Sequence, residues 1–454
     1  LLLFTKFLVF LAVLIAIKPL NAQATGVEGG FEGGVPGYDG PSILGRTGPG
    51  AGKRGTENVP INWQASLNGS YDSNLLGYAV DSTGTFRQQT SLGVNAMIGV
   101  SGRKRWRRSY LGVDYAGDYN YYTRQTLFNG SNHQLNLSFA TQAGRSWQVD
   151  SQVAGGTSNR FVGNQGIFQT SELEFLAAPT SDIFDSRNYF IGNTTSATYL
   201  ISSRQTVRFS GTGSSVRRRA PGLIDMQSYG AASDWVYRLN RRTSTGVSYY
   251  FTHFDFSKVF GESDVHTVGW HISRRINRDL VFSGSLTGSQ QSTVGVRSVV
   301  LDPVLAAILG RAIGAEVFES NNLLYGYSAA LTRRIRRSSA SINALRSITP
   351  GNGYFLTSLN EGVNADFTHE VSPEMTVGAT VGYSKLTSLG FTSGSFRGWT
   401  AGVNTTYRLT EGFGLNARYD WRTFDLSQTA FGRSGYRVTV GVTYFPTHGP
   451  GGLF

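Results

Sequence analysis

Charged side chains in this chain recur at two-residue spacing, and that spacing decides what chemistry they could do. Arg418, Asp420 and Arg422 alternate with Tyr419 and Trp421, Arg408 follows Tyr407, and Asp114 and Asp118 alternate with Val113, Tyr115 and Tyr119. A strand sends every second side chain to one face, so each set lines a single wall. Carboxylates beside guanidinium groups on a wetted wall orient and filter small polar solutes, or simply keep the wall solvated. A second acidic set, Glu172, Glu174, Asp182 and Asp185, falls in the aperiodic stretch 159–188. There Ser171-Glu172-Leu173-Glu174 carries a helix-start signal, with Ser171 as cap and Glu174 closing the box. Bent toward the wall, those carboxylates would oppose Arg408, Arg418 and Arg422 across a waist.

Other chemistries lack their residues. The absence of cysteine removes disulfides, thiol catalysis and cysteine metal sites together. His253, His266 and His271 lie on neighbouring segments without metal-ligand spacing. Gly48 to Lys53 has the outline of a phosphate-binding loop. Thr47 stands where its first glycine is required, however, Arg54 replaces Ser/Thr, and no strand precedes it. No catalytic residue, metal or cofactor is expected. The net charge of +12 is concentrated in short breaks: Arg103-Lys104-Arg105 with Arg107-Arg108, Arg241-Arg242, Arg274-Arg275, Arg333-Arg334 and Arg336-Arg337. No basic helix or aromatic platform accompanies them, so nucleic acid is not an expected partner.

The elements that position these groups are strands. Trp399, Ala401, Val403, Thr405, Tyr407 and Leu409 share one face, while Thr400, Gly402, Asn404, Thr406 and Arg408 share the other. The pattern returns in Phe413 to Arg422 and again in Arg437 to Tyr444. One face is apolar with aromatics at the segment ends, and the opposite face carries full charges. That combination predicts a membrane-spanning β-barrel, with lipid outside and water within. A hydrophobic content of 40% and a mean hydropathy of −0.18 are too low for a helical membrane bundle, while 57 glycines and 28 phenylalanines suit strands and tight turns.

Alternation places strands near 62–74, 85–100, 107–121, 132–143, 145–158, 189–202, 204–217, 225–239 and 243–256. The second half continues near 264–277, 279–292, 321–334, 338–348, 357–369, 374–386, 395–409, 412–425 and 433–445. The expected fold is therefore all-β: an antiparallel up-and-down barrel of eighteen strands, or sixteen without 204–217 and 338–348. Brief connections alternate with longer ones, which predicts short periplasmic turns and long external loops. The long connection 293–320 holds helix signals: Asp302 as cap, Pro303 at the first position, and Gly314 as stop. Leu301, Val304, Leu305, Ile308, Leu309 and Ala312 would make its apolar stripe, packed on loops or a neighbouring subunit.

At the N-terminus Phe7 to Ile17 is an uninterrupted apolar run after Lys6, followed by Ala22-x-Ala24. It reads as a signal peptide over 1–24, too short to cross a bilayer as a helix. Residues 25–60 are Gly/Pro-rich and aperiodic, expected to form a flexible periplasmic tail. The barrel is placed at 61–446 and a C-terminal tail at 447–454.

Two resemblances bear on function. Thr439-Val440-Gly441-Val442-Thr443-Tyr444-Phe445 resembles the C-terminal assembly signal of bacterial outer-membrane barrels, polar-x-Gly-x-x-aromatic-x-aromatic, up to the final position, where Pro446 stands. The layout also resembles porins, whose third external loop, between the fifth and sixth strands, bends into the lumen and bears acidic residues. This likeness covers barrel layout and loop position rather than sequence. It implies a Gram-negative outer-membrane diffusion channel for small hydrophilic solutes, filtered by size and charge at a waist made by 159–188 and the arginine-bearing wall. Implied partners are outer-membrane lipid, a small hydrophilic or anionic solute, the barrel-assembly machinery and a second copy in a homo-oligomer. Rival readings are an exporter of anionic polysaccharide, a plugged structural or adhesive barrel, and a barrel enzyme. Short periplasmic turns weigh against the exporter. His271, on the expected lumen face, weighs against a lipid-facing triad of the kind outer-membrane lipases carry.

Overall fold

The computed structural model describes residues 59–73, 90–123, 129–158, 187–219, 223–257, 260–300, 302, 312–350, 355–390, 394–426 and 432–444. Every regular element among them is a strand: β1 (Val59–Asp72), β2 (Ser91–Arg105), β3 (Ser109–Tyr122), β4 (Gly130–Ala143), β5 (Trp147–Ser158), β6 (Asn188–Leu200), β7 (Gln205–Arg218), β8 (Met226–Asn240) and β9 (Thr243–Asp255). Then come β10 (Gly261–Arg275), β11 (Leu280–Val300), β12 (Ile313–Ile335), β13 (Ser338–Thr349), β14 (Ser358–Glu370), β15 (Met375–Ser388), β16 (Ser395–Arg408), β17 (Phe413–Leu426) and β18 (Gly432–Tyr444). Each strand pairs antiparallel with its chain neighbours. β18 pairs with β1 from Ala65↔Tyr444 to Asp72↔Arg437, which closes the sheet. The count is eighteen rather than sixteen: β7 and β13 are both present.

Connections sort strictly by parity. Those after even-numbered strands span two to four residues, and those after odd-numbered strands span five to twenty-nine. All short turns therefore lie at one end of the barrel and all long loops at the other.

The two faces follow from register. Leu67, Leu286 and Val440 are about 60% exposed, whereas their polar neighbours Asn68, Ser289 and Thr443 are under 10% exposed. This inverts the order of a water-soluble protein and places the apolar parity outside the closed sheet. Trp399, Tyr419 and Val440 have no second layer of protein over them. Aromatic pairs cross the strands near both ends. Trp147 meets Tyr199 at 4.8 Å and Phe413 meets Tyr444 at 4.9 Å toward the short turns, while Tyr383 meets Trp399 at 4.7 Å toward the long loops. Such belts suit the two interfaces of a bilayer. Two residues past Tyr383 and Trp399, the outer face turns ionic. Arg346 and Lys385 lie 2.9 and 3.7 Å from Glu361, and Arg397 lies 2.6 Å from Asp425. The apolar belt is interrupted on β5 and β6, where Ser151, Thr195 and Asn193 satisfy one another at 2.9 and 3.2 Å.

Two expectations are corrected. Three of the basic runs do not lie in breaks: β10 ends on Arg274-Arg275, Arg333-Arg334 lie within β12, and β2 continues through Arg103-Lys104-Arg105, opposite Gly112, Leu111 and Tyr110. The strand has passed the apolar band by then, so charges no longer oppose pairing, and the Lys104 ammonium lies 5.8 Å from the Trp106 ring. The connection 293–320 is not a loop over most of its length. β11 runs on to Val300 and β12 starts at Ile313, so the hairpin stands well above its neighbours. Gly314, expected to stop a helix, sits inside β12 opposite Val299. Val294, Val296, Val299 and Val300 give these flanks strong β propensity, which the capping signals at Asp302-Pro303 do not address. Leu301 and 303–311, most of the expected helix, lie outside the described residues.

Candidate functional site: the polar lumen and its apolar strap

The inner face is built from short polar side chains joined across strands. On β1 to β4 the hub is Asp118. Its Oδ2 accepts from Asn95 Nδ2 at 3.1 Å, from Asn132 Nδ2 at 2.9 Å and from Asn120. Asn68 extends the ladder by donating to Asn95 Oδ1 at 3.2 Å. Further round, Arg437 Nε donates to Asp72 at 3.1 Å and its guanidinium also reaches the Tyr122 hydroxyl. Arg418 Nε lies 2.7 Å from Asp420, and Arg208 lies 3.5 Å from Asp150 with Ser196 bonded to both. His271 faces the lumen, 3.6 Å from Asp234. Arg208 and Asp150 are about a third exposed, so their pairing costs little desolvation, whereas Asp72 and Arg437 are nearly buried and depend on each other.

Toward the long-loop end this pattern breaks. Phe190, Val216, Met226, Phe254 and Val265 occupy inward positions on β6 to β10 and, with Phe256, form one apolar cluster. Leu386, Phe396 and Phe424 occupy inward positions on β15 to β17 and form another. Two consecutive residues link them. Phe355 packs into the second cluster, and Leu356 packs against the first. A Cβ added at Gly261 or Gly295 would touch Leu356 at 3.4 Å, so the segment lies directly on the β10–β11 wall. β10 and β15 stand five strands apart along the wall, and the segment Phe355–Thr357 is a strap that bridges the apolar clusters on the two stretches. Phe318, on the inward face of β12, is in the same group: a Cβ at Gly295 would meet its ring at 2.8 Å.

The expected site residues divide by height. Arg418, Asp420 and Arg422 project inward in sequence up β17, with Arg422 buried beside the Phe424 ring. Asp114 and Asp118 project inward on β3, and Asp118 is buried within its amide ladder. Arg408 stands at the short-turn rim and donates to the Pro373 carbonyl at 3.1 Å, far below the narrowing. Glu172, Glu174, Asp182 and Asp185 lie outside the described residues. The strap residues Phe355 and Leu356 were not among the candidates. Their signal was nonetheless present: two bulky apolar residues in a Gly/Asn-rich connection, and phenylalanines at 190, 254, 396 and 424 that violate the polar-inward alternation.

No family model matches the sequence, and no curated protein matches it. Solved structures of similar outline include Acinetobacter baumannii OccAB4, at 9% identity and a TM-score of 0.41 over 87% of this chain and 100% of that one. Pseudomonas aeruginosa OccK2 (OpdF) is similar at 9% identity and a TM-score of 0.44, covering 86% and 100%. The outer membrane protein OpdK of the same organism is similar at 11% and 0.41, covering 85% and 98%. The barrel assignment rests on this chain's own strand pairing: it is a closed, eighteen-stranded antiparallel β-barrel with an apolar outer face.

Proposed function

We propose that the protein is an outer-membrane channel through which small hydrophilic solutes diffuse, with selection by size and charge inside the lumen. The observation that carries this reading is the inverted sheet: apolar side chains outside, paired charges and amides within. A barrel of eighteen strands is too wide for its wall side chains to fill, so water occupies what the strap leaves. In this reading short turns face the periplasm and long loops the exterior. Arg418 and Arg422 supply the cationic side of the filter, and the carboxylates of 159–188 supply the opposing side. Export by a signal peptide, insertion by the assembly machinery and association into a homo-oligomer belong to the same proposal.

Stepwise conductance of the purified protein in planar bilayers bathed in KCl is the test. Channels are expected, and the double substitution Phe355→Ala, Leu356→Ala should raise the unitary conductance by opening the strap. Silence from both proteins would overturn the channel reading. It would favour a plugged barrel, for which the strap is the one specific observation. Passage of an extended anionic polysaccharide is disfavoured by the short connections after the even-numbered strands, two to four residues each.

A further inference from the structure

Thr357 and Ser358 are fully buried and Asn360 is 8% exposed. Thr357 Oγ1, Ser358 Oγ, Asn360 Oδ1 and the nearby Ser388 Oγ have no hydrogen-bond partner among the described residues. Three of them lie together on the sheet: Ser358 pairs opposite Ser388, and Asn360 pairs opposite Leu386, whose other neighbour is Phe396. Ser358, Asn360 and Ser388 face the lumen beside the cluster of Phe355, Leu386, Phe396 and Phe424, in which the Phe396 and Phe424 rings lie 5.2 Å apart. Buried polar atoms without partners are unfavourable, and three in one place, with Thr357 Oγ1 in the adjoining strap, mark something the closed strap leaves unmet.

We infer that this patch is a solute-binding subsite for a neutral polyhydroxylated molecule, a sugar or polyol, uncovered when the strap Phe355–Thr357 lifts. The inference deepens the channel reading by naming its substrate class, and it rests on that reading for its role in transport. The chemistry selects the ligand. Asn360 Oδ1 needs a donor, which a carboxylate lacks. Serine and threonine hydroxyls donate and accept, as sugar hydroxyls do. None of these groups carries a charge that would neutralise an ion drawn under the phenyl rings. Those rings match the C–H faces of a pyranose, so apolar and polar contacts are offered side by side. Glu361, next in sequence, belongs to the outer face and its ion pairs with Arg346 and Lys385, so it does not enter the patch.

Calorimetric titration of sucrose into the full-length protein, held in a detergent without a sugar headgroup, reads the subsite directly and independently of conductance. Sucrose is expected to bind and sodium acetate is not. Ser358→Ala combined with Asn360→Ala should weaken sucrose binding by at least about tenfold, while Lys385→Ala on the outer face should leave it unaltered. Phe355→Ala should strengthen it, since the site is then open beforehand. Absence of sucrose binding in both the unaltered protein and Phe355→Ala would overturn the inference, as would equal binding by the double variant. Sucrose binding without KCl conductance would sustain the subsite and defeat the channel, so the two failures are separable.

Discussion

Asp72 shows how one side chain ties three strands together. It is buried on the inner face of β1, and Arg437 of β18 donates to it while also bonding the Tyr122 hydroxyl of β3. Tyr122 passes over β2 only because position 93 is glycine: a Cβ there would lie 2.8 Å from its ring. Asp72→Ala leaves Arg437 buried without that carboxylate, a change worth about 3 kcal/mol or more. The temperature at which the barrel unfolds in detergent should fall accordingly, and Asp72→Asn should recover part of the loss. A temperature unmoved by Asp72→Ala would show that the pair contributes nothing. At this scale the sequence was partly legible. Alternation alone put Asp114, Asp118, Arg418, Asp420 and Arg422 on the wetted face. It could not show that Arg408 caps a turn rather than lining the waist, because the height of a residue depends on where the turn falls. Nor could it pair Asp72 with Arg437, which meet only through closure.

At the scale of elements, strand number was readable because each strand carries its own alternation, and turn residues punctuate it. Ends were less readable where alternation runs past the apolar belt. β11 and β12 extend to twenty-one and twenty-three residues, and local helix-capping residues masked the valines that continue the sheet. The strap was missed for a different reason. Its contacts are with strands far away in sequence, and only the apolar exceptions on the inner face hinted at it. β18 supplies the test at this level. Gly441 faces inward opposite Asn68, and a Cβ there would collide with Asn68 Oδ1 and approach the Leu67 carbonyl oxygen to 2.6 Å. Gly441→Ala should therefore pry at the β18–β1 pairing and lower the yield of heat-modifiable, folded barrel. Gly69→Ala, whose Cβ would meet only the Val440 carbonyl oxygen at 3.9 Å, should fold normally. Equal yields from the two variants would refute this account of the seam.

For the molecule as a whole, the medium defines inside and outside. Leu286 is 61% exposed at mid-height on the outer face. In a water-soluble protein Leu286→Arg would change stability by less than about 0.5 kcal/mol. Facing hydrocarbon it should cost about 2–4 kcal/mol, read as the denaturant midpoint for barrels refolded into lipid vesicles. A neutral outcome would remove the lipid belt from this description. The closure of the sheet carries one more consequence. Arg437 and Asp72 are 365 positions apart, yet they sit on the last pairing that completes the ring. Contacts so distant form slowly, and no truncated product can make them. A half-synthesised chain thus bears two raw β edges with no mate, the kind of edge that recruits wrong partners. The polypeptide must be kept unaggregated until its final strand is released, and it becomes a barrel only when its two ends meet.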